Sequence, residues 1–181
     1  MNNASGMCCG IHANSYRALQ SVRIILPDGT ILDTGDKESR AKFLMTHPQF
    51  VRKIDDLRIK TQRNPVLCEL IRKKYSIKNV TGLTILPFVE YTDPFDIIAH
   101  LMVGSEGTLA FLSSITMTTG EILPYSASAL LLFPTTKSAC EAITEMKQTG
   151  LLSAAEFFDR KAMQTVEKDF PELQGLPEDA G

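Results

Sequence analysis

The chain has 181 residues, of which 44% are hydrophobic and 22% are charged. This composition is typical of one globular domain, or one and a fraction, and excludes a disordered chain. The formal net charge is −2, so bulk charge does not favour binding to nucleic acid or to an anionic membrane surface. No apolar run approaches the ~20 residues needed to span a bilayer, and the first residues lack the regions of a signal peptide. We therefore expect neither a transmembrane segment nor a leader.

The first predicted element is a β-hairpin over residues 21–34. Val22, Ile24 and Leu26 form an apolar pattern that is typical of a half-buried strand. The Pro-Asp-Gly sequence at 27–29 is a turn signal, because proline fixes one backbone angle and glycine accepts a positive φ. The sequence therefore predicts two antiparallel strands joined by a tight turn.

A helical pattern follows over residues 39–75, and Asp36 is placed to cap its first turn. The pattern is interrupted at His47-Pro48 and at Asn64-Pro65, so it predicts more than one helix. Two apolar stripes recur at helical spacing: Val51, Ile54, Leu57 and Ile59, then Val66, Leu67, Leu70 and Ile71. We expect these stripes to face a core.

Basic residues lie between the apolar stripes. They are Arg52, Lys53, Arg58, Lys60, Arg63, Arg72, Lys73 and Lys74. A basic helix pair could indicate an RNA surface. Solvated helix faces rich in Lys and Arg are far commoner, however, and Asp55, Asp56 and Glu69 are mixed in. We therefore expect no nucleic-acid partner.

The middle of the chain contains an irregular stretch at 78–90, a short helix that begins at Asp93-Pro94, and a strand at 108–117. Residues 120–126 are rich in Gly, Pro and Ser and predict a linker between two domains. Beyond it, a different pattern begins.

The region after the linker predicts a strand at 127–133, a helix at 135–149, a strand at 154–158 and a helix at 159–166. This β-α-β-α order is typical of the start of a second α+β unit. Two strands are too few for a complete sheet. The last residues have a loop-like composition.

Two stretches rich in small residues are candidate ligand loops. Residues 104–108, Gly-Ser-Glu-Gly-Thr, separate a helix from a strand and can expose backbone N–H groups to an anion or a flat cofactor. They match neither a P-loop nor a G-x-G-x-x-G motif, and a turn with a helix cap explains them equally well. Residues 2–6 have the same character, and a loose N-terminal tail is the alternative there.

The cysteines and histidines do not form a known catalytic or metal-binding pattern. They are Cys8, Cys9, Cys68 and Cys140, and His12, His47 and His100. Zinc and iron–sulfur spacing is absent, so we expect no metal site and reduced thiols. No Ser-His-Asp order, paired carboxylate or H-E-x-x-H is visible. His100 precedes the glycine loop, where a base could lie, but a structural role is commoner, and the catalytic residues stay unassigned.

Several segments share their order and spacing with one known family. They are NNASGMCCG at 2–10, Asn14, Tyr16, RIILPDGTILDTGD at 23–36, KYSIKNVTGL at 74–83, Asp93, Pro94, Asp96, Ile97, HLMVGSEGTLAFL at 100–112 and AAEFFDR at 154–160. The set resembles the FAD-linked oxidases of the vanillyl-alcohol oxidase/PCMH type. It is most similar to the branch with D-lactate dehydrogenases, glycolate oxidase and D-2-hydroxyglutarate dehydrogenase. Leu83 is a departure, because a Tyr is usual there.

The resemblance implies that the two loops line an FAD site. The residues expected to contact the cofactor are Asn3, Ala4, Ser5, Gly6, Gly104, Glu106, Gly107, Thr108, Leu109, Ala110, Phe111 and Leu112. In this interpretation Gly107 lets the backbone approach the cofactor and Thr108 offers a hydroxyl. The apolar strand shields the flavin ring from water.

The resemblance also implies an α+β chain in two parts. Residues 1–122 would be the C-terminal part of an FAD-binding PCMH-type domain, with helices and a mixed or antiparallel sheet. Residues 123–181 would begin the C-terminal substrate or cap domain. The glycine-rich pyrophosphate loop of the family would precede this chain. We therefore expect a fragment that binds FAD weakly or not at all by itself and is inactive alone.

The parent protein implied by the resemblance oxidises a D-2-hydroxy acid, with D-lactate as the first candidate. A hydride leaves the substrate Cα for the flavin, and a base takes the hydroxyl proton. A cytoplasmic location is expected, with a peripheral place at the inner membrane face also consistent. We expect a homo-oligomer that buries the bare face of the fragment, and many relatives carry a downstream iron–sulfur segment.

Two other classes remain open. The chain could be a non-catalytic structural or interaction module that keeps a flavin-type half-fold without flavin. A nucleic-acid binder acting through the basic helices is the weakest alternative, and it predicts strongly salt-dependent binding.

Overall fold

The computed structural model describes residues 1–6, 14–120 and 124–181. The chain divides into two compact units, Met1–Glu121 and Ile122–Gly181. The first unit combines helices with a small antiparallel sheet, so the predicted α+β class is confirmed. Cys8, Cys9, His12 and the middle of the predicted linker lie outside the described residues.

The sheet of the first unit has three antiparallel strands in the order β2-β1-β3. They are β1 Leu19–Ile25, β2 Ile31–Asp33 and β3 Phe111–Met117. Ile24 of β1 lies between Leu32 of β2 and Leu112 of β3. The predicted hairpin is therefore confirmed, and its turn is closed by a hydrogen bond from the Leu26 amide to the Thr30 carbonyl at 2.9 Å.

Helices supply the rest of the first unit. They are α1 Ser15–Ala18, α2 Lys37–Thr46, α3 Pro48–Gln62, α4 Pro65–Lys74, α5 Pro87–Glu90 and α6 Pro94–Leu101. Proline opens four of them, because the first helical N–H needs no partner within the helix. Asp36 accepts the Ser39 N–H at 2.9 Å, and Asp93 accepts the Phe95 N–H at 2.8 Å. The predicted cap at Asp36 and the predicted helix start at Asp93-Pro94 are therefore confirmed.

The core of the first unit lies between the sheet and the helices. Its most completely buried apolar side chains are Val22, Ile24, Leu32, Phe43, Ile98, Ala99 and Val103. Burial of each large apolar side chain stabilises the fold by about 1.5–3 kcal/mol. This packing fixes α6 against β1 and so sets where the chain leaves α6.

The second unit contains only helices among its described residues. They are α7 Thr136–Gln148, α8 Arg160–Gln164 and a 3₁₀ turn at Pro171–Leu173. The helix predicted at 135–149 is confirmed. The helix predicted at 159–166 is shorter than expected.

The strands predicted at 127–133 and 154–158 are wrong, because both segments are irregular in the structure. Phe133 exchanges two backbone hydrogen bonds with Gly181, at 2.8 and 3.2 Å. No described neighbouring strand pairs with the rest of the segment, and Leu130 is 61% exposed. An apolar, β-favouring sequence forms a strand only where a partner strand satisfies its backbone.

None of the described helices has both the length and the apolar character required to cross a bilayer.

The composition of residues 120–126 generates a prediction about the boundary between the two units. Limited proteolysis of the folded protein should cut first within this segment, because backbone between compact units is the most accessible to a protease. Mass mapping of the early fragments checks this. Early cleavage within residues 36–66, with residues 120–126 intact, would contradict it.

Candidate functional site

The residue that precedes the first predicted ligand loop contacts the second loop in the structure. The Met1 carbonyl accepts the Gly104 N–H at 2.9 Å and the Glu106 N–H at 3.4 Å. The N-terminal segment therefore lies directly against the loop that follows α6. Two stretches that are far apart in sequence form one local surface.

Residues 105–108 form a tight turn. The Thr108 N–H donates to the Ser105 carbonyl at 2.8 Å, and φ is +48° at Glu106 and +81° at Gly107. Positive φ at both central residues is the pattern of a type I′ turn. Glycine adopts it readily, whereas a positive φ is uncommon at Glu106 and is a feature of strained or functional positions.

The amides of this loop are not an open anion site. Those of Gly104 and Glu106 donate to Met1, and that of Thr108 donates within the turn. The expectation that the loop exposes several backbone donors is therefore wrong for these three residues, because other parts of the chain already satisfy them. The Thr108 hydroxyl also donates to the Ser105 carbonyl.

Gly104 is required by packing rather than by a ligand. Its φ is +83°, and a Cβ added there would lie 2.0 Å from the Gly82 carbonyl oxygen. At Gly107 an added Cβ would meet nothing within 4 Å. Of the two glycines in this loop, only Gly107 leaves open space that a ligand could use.

The N-terminal segment is held by side chains as well as by its backbone. Asn3 accepts the Tyr16 N–H at 3.0 Å through Oδ1 and donates to the Asn79 carbonyl at 3.5 Å through Nδ2. The Lys78 ammonium donates to the Ser5 and Gly6 carbonyls at 3.1 and 2.9 Å. Both ends of the Asn3 amide therefore take part in holding the fold together.

A small cleft lies beside this segment, lined in part by Asn3, Tyr16, Lys78 and Gly82. Its cavity volume is about 30 Å³, which suits one water molecule and not a flavin ring. This cleft is therefore too small for a flavin, and the predicted contact residues along the loop and the start of β3 lie on the surface beside it or in the core.

That surface partly fits a flavin. The Ser5 hydroxyl is buried and has no hydrogen-bond partner among the described residues, which leaves a donor and acceptor for a ligand. Leu109, just before β3, and Phe111, its first residue, are 36% and 68% exposed. These two apolar side chains can cover one face of an aromatic ring.

The remaining predicted contact residues differ in whether they are buried or exposed. Ala110 is buried and Leu112 packs against the core, so only their backbone could reach a cofactor. Ala4, Gly6, Glu106 and Gly107 are exposed, although the Ala4 N–H donates to Asn2 at 3.2 Å.

His100 lies beneath this surface in a structural role. Nδ1–H donates to the Asp96 carbonyl at 2.8 Å, and Nε2 therefore accepts the Tyr91 hydroxyl at 2.9 Å. The ring stacks on Tyr91 at 4.2 Å and meets the edge of Tyr16 at 5.0 Å. Burial lowers the pKa of His100, so the neutral imidazole is favoured and both of its nitrogens are occupied.

Sequence reasoning missed a polar cluster next to His100. Glu90 accepts the Tyr16 hydroxyl at 2.9 Å and two guanidinium N–H groups of Arg17 at 2.8 and 2.9 Å. Burial, and then the charge of Glu90, raise the pKa of Tyr16 well above its usual range. The cluster ties α1 to α5. The only sequence signal was Tyr16 within the family pattern, because ion pairs between distant residues have no local signature.

Within the part of the chain that the structure describes, no group of three or more His, Cys, Asp or Glu side chains could hold a metal. Cys68 is buried and its thiol donates to the Thr61 carbonyl at 3.3 Å, whereas Cys140 is exposed.

Comparison with known proteins agrees with the family pattern. Residues 122–181 match the family model for FAD linked oxidases, C-terminal domain. A D-lactate dehydrogenase from Archaeoglobus fulgidus is 35% identical over 116 residues, which are 62% of this chain and 24% of that protein. The chain thus spans well under half the length of this relative. No solved structure matches the chain.

These two findings support the predicted family, the FAD-linked oxidases, and within it the D-lactate dehydrogenase branch.

The contact between Gly104 and Gly82 generates a stability prediction. Gly104→Ala should lower the free energy of unfolding far more than Gly107→Ala. Both variants impose a positive φ on alanine, at about 1–3 kcal/mol, but only the first adds a clash with backbone. Urea unfolding of the two variants measures the difference. An equal decrease in the free energy of unfolding in both variants would show that the Gly82 contact does not constrain Gly104.

The burial of His100 generates a prediction about pH. Its pKa in the folded state lies below the ordinary value of 6.5, so the unfolded state takes up the proton first as pH falls. The free energy of unfolding should therefore decrease as pH drops below about 6.5. His100→Gln should make the free energy of unfolding less dependent on pH in this range, whether or not the substitution also changes stability at pH 7. Parallel curves for the two proteins between pH 7 and 5 would contradict this prediction.

Proposed function

We propose that this chain contributes part of the flavin-contacting surface of an FAD-dependent oxidoreductase that oxidises a D-2-hydroxy acid, with D-lactate as the first candidate. The observation that carries the proposal is the contact of Met1, which precedes residues 2–6, with Gly104 and Glu106 of the loop at 104–108. These are the two segments that the family pattern assigns to the cofactor. The similarity to an FAD-linked oxidase domain and to a D-lactate dehydrogenase supports the reaction class.

The proposal assigns residues 1–122 to the C-terminal part of an FAD-binding PCMH-type domain and residues 123–181 to the start of the cap domain. The division of the structure between Glu121 and Ile122 supports this assignment. The family match that begins at residue 122 also supports it.

When bound, FAD would supply the hydride acceptor for the substrate. The residues that would hold it are Ser5, Gly107, Leu109 and Phe111. Leu109 and Phe111 would cover the flavin ring and exclude water from it. The Ser5 hydroxyl, which has no partner among the described residues, would hydrogen-bond a polar edge of the cofactor, and Gly107 would leave room for close approach.

We assign no general base among the described residues. His100 is the one histidine near the loop in sequence, but both of its ring nitrogens are occupied and the side chain is buried. A base must come within hydrogen-bond distance of the substrate hydroxyl whose proton it takes. We therefore assign His100 to the support of α6 and not to proton transfer.

Self-association is part of the proposal. Ile115 and Met117 of the edge strand β3 are each 40% exposed, beside Phe111 at 68%. Exposed apolar side chains on a sheet edge favour pairing with another chain. This supports the expected homo-oligomer. A downstream iron–sulfur segment would lie beyond these residues.

A non-catalytic module is the second candidate, and one observation favours it. The amides of Gly104, Glu106 and Thr108 are satisfied without a ligand, so the loop is complete by itself. A flavin absorbance spectrum of the purified complete protein separates the two candidates, because only the enzyme carries the cofactor.

The open space at Gly107 generates a binding prediction. In the complete gene product, Gly107→Val should lower FAD occupancy, because a branched side chain would stand where the backbone meets the cofactor. Gly29→Val is a matched control: Gly29 also has a positive φ and open space, but it lies in the hairpin turn. The absorbance ratio of flavin to protein reports occupancy.

Full occupancy in Gly107→Val, or an equal loss in both variants, would contradict the assignment of Gly107. The 181-residue chain alone should bind FAD weakly or not at all, because the pyrophosphate contacts would come from elsewhere.

A further inference from the structure

Residues 78–82 lie between the two segments assigned to the cofactor, although they belong to neither. The Lys78 ammonium donates to the carbonyls of Ser5 and Gly6 at 3.1 and 2.9 Å. The carbonyl of Gly82 lies against Gly104 so closely that no side chain could stand between them. One five-residue stretch therefore contacts both the N-terminal segment and the loop at 104–108.

We propose that Lys78 is a positioning residue for the flavin site, and that its ammonium fixes the Ser5-Gly6 backbone beside the 104–108 loop. This inference rests on the proposed function. Lys78 does not touch the substrate in this proposal. It acts through the segment that carries the Ser5 hydroxyl.

The chemistry of the contact suits this role. An ammonium has three N–H donors, and two of them bind adjacent carbonyls that lie outside any helix or strand. Charged donors make stronger hydrogen bonds than neutral ones. Two bonds to consecutive residues fix both the position and the direction of the backbone between them. A single bond would leave the segment free to rotate.

Among the described residues, few other contacts restrain the N-terminal segment. Besides Lys78, it is held by the Met1 carbonyl at the loop and by Asn3 at Tyr16 and Asn79. The Met1 and Asn3 contacts involve residues before Ser5, whereas those of Lys78 involve Ser5 and Gly6. Loss of the ammonium should therefore release Ser5 and its hydroxyl and, by freeing that end of the segment, also loosen the Met1 contact with the loop, while the sheet and α6 stay intact.

The test compares Lys78→Met, Lys78→Arg and the control Lys73→Met in the complete gene product. Lys73 is exposed on α4, and its side chain makes no described hydrogen bond or ion pair. FAD affinity is measured by titration, thermal stability by calorimetry, and local order by hydrogen exchange of the Gly104 and Glu106 amides. Both N–H groups donate to the Met1 carbonyl, so their exchange rates report whether the N-terminal segment stays in place. The Thr108 amide, bonded within the turn, is the internal reference.

Lys78→Met should weaken FAD binding by about tenfold or more, which corresponds to about 1.4 kcal/mol, with a melting temperature close to that of Lys73→Met. It should also speed exchange at Gly104 and Glu106 but not at Thr108. Lys78→Arg should restore most of the affinity, because a guanidinium can also donate to both carbonyls.

Unchanged FAD affinity and unchanged exchange in Lys78→Met would overturn the role of Lys78 while leaving the proposed function intact. A loss of affinity accompanied by a large fall in melting temperature would also overturn it, since that indicates a general structural role. If the unsubstituted protein binds no FAD, the proposed function fails. In that case the exchange at Gly104 and Glu106 still decides whether Lys78 anchors the segment.

Discussion

The backbone contact between Gly82 and Gly104 is the constraint on which the candidate site depends. A side chain at Gly104 would overlap the Gly82 carbonyl, so the loop after α6 can take its position only with glycine there. That position in turn aims the Gly104 and Glu106 amides at the Met1 carbonyl. The loop thereby contacts the N-terminal segment at Met1 and the 78–82 stretch at Gly82 through backbone alone.

The surrounding fold fixes the loop that follows α6 at both of its ends. Buried packing of α6 against β1 fixes the point where the chain enters the loop, and the pairing of β3 with β1 fixes where it leaves. The His100 contacts and the Glu90 cluster connect α1, α5 and α6 beneath the surface. Glu106 keeps its positive φ because the fold fixes the chain on both sides of the turn.

Local signals in the sequence predicted much of the first unit. The turn at 27–29 and the caps Asp36 and Asp93 depend on residues a few positions apart, so they can be read without knowledge of the fold. The strands predicted at 127–133 and 154–158 are wrong for the opposite reason. Their apolar, β-favouring residues require a partner strand, and strand pairing is a tertiary property that composition does not contain.

The sequence indicated which segments could form the candidate site, but not how they contact the rest of the chain. The glycines indicated that backbone comes close to something at 104–108, but Gly104 approaches another part of the chain and only Gly107 is open. The anchoring contacts of Lys78 and the cluster around Glu90 join residues distant in sequence. Such contacts become visible only once the fold brings their partners together.

The central claim is that FAD lies along residues 2–6 and the surface formed by residues 104–112. Hydrogen exchange of the complete gene product, measured with and without FAD, tests it most directly. The account predicts that FAD slows exchange in peptides covering these two segments and leaves α3 and α4 unchanged. Tight FAD binding that protects other regions while both segments exchange at their original rates would contradict it.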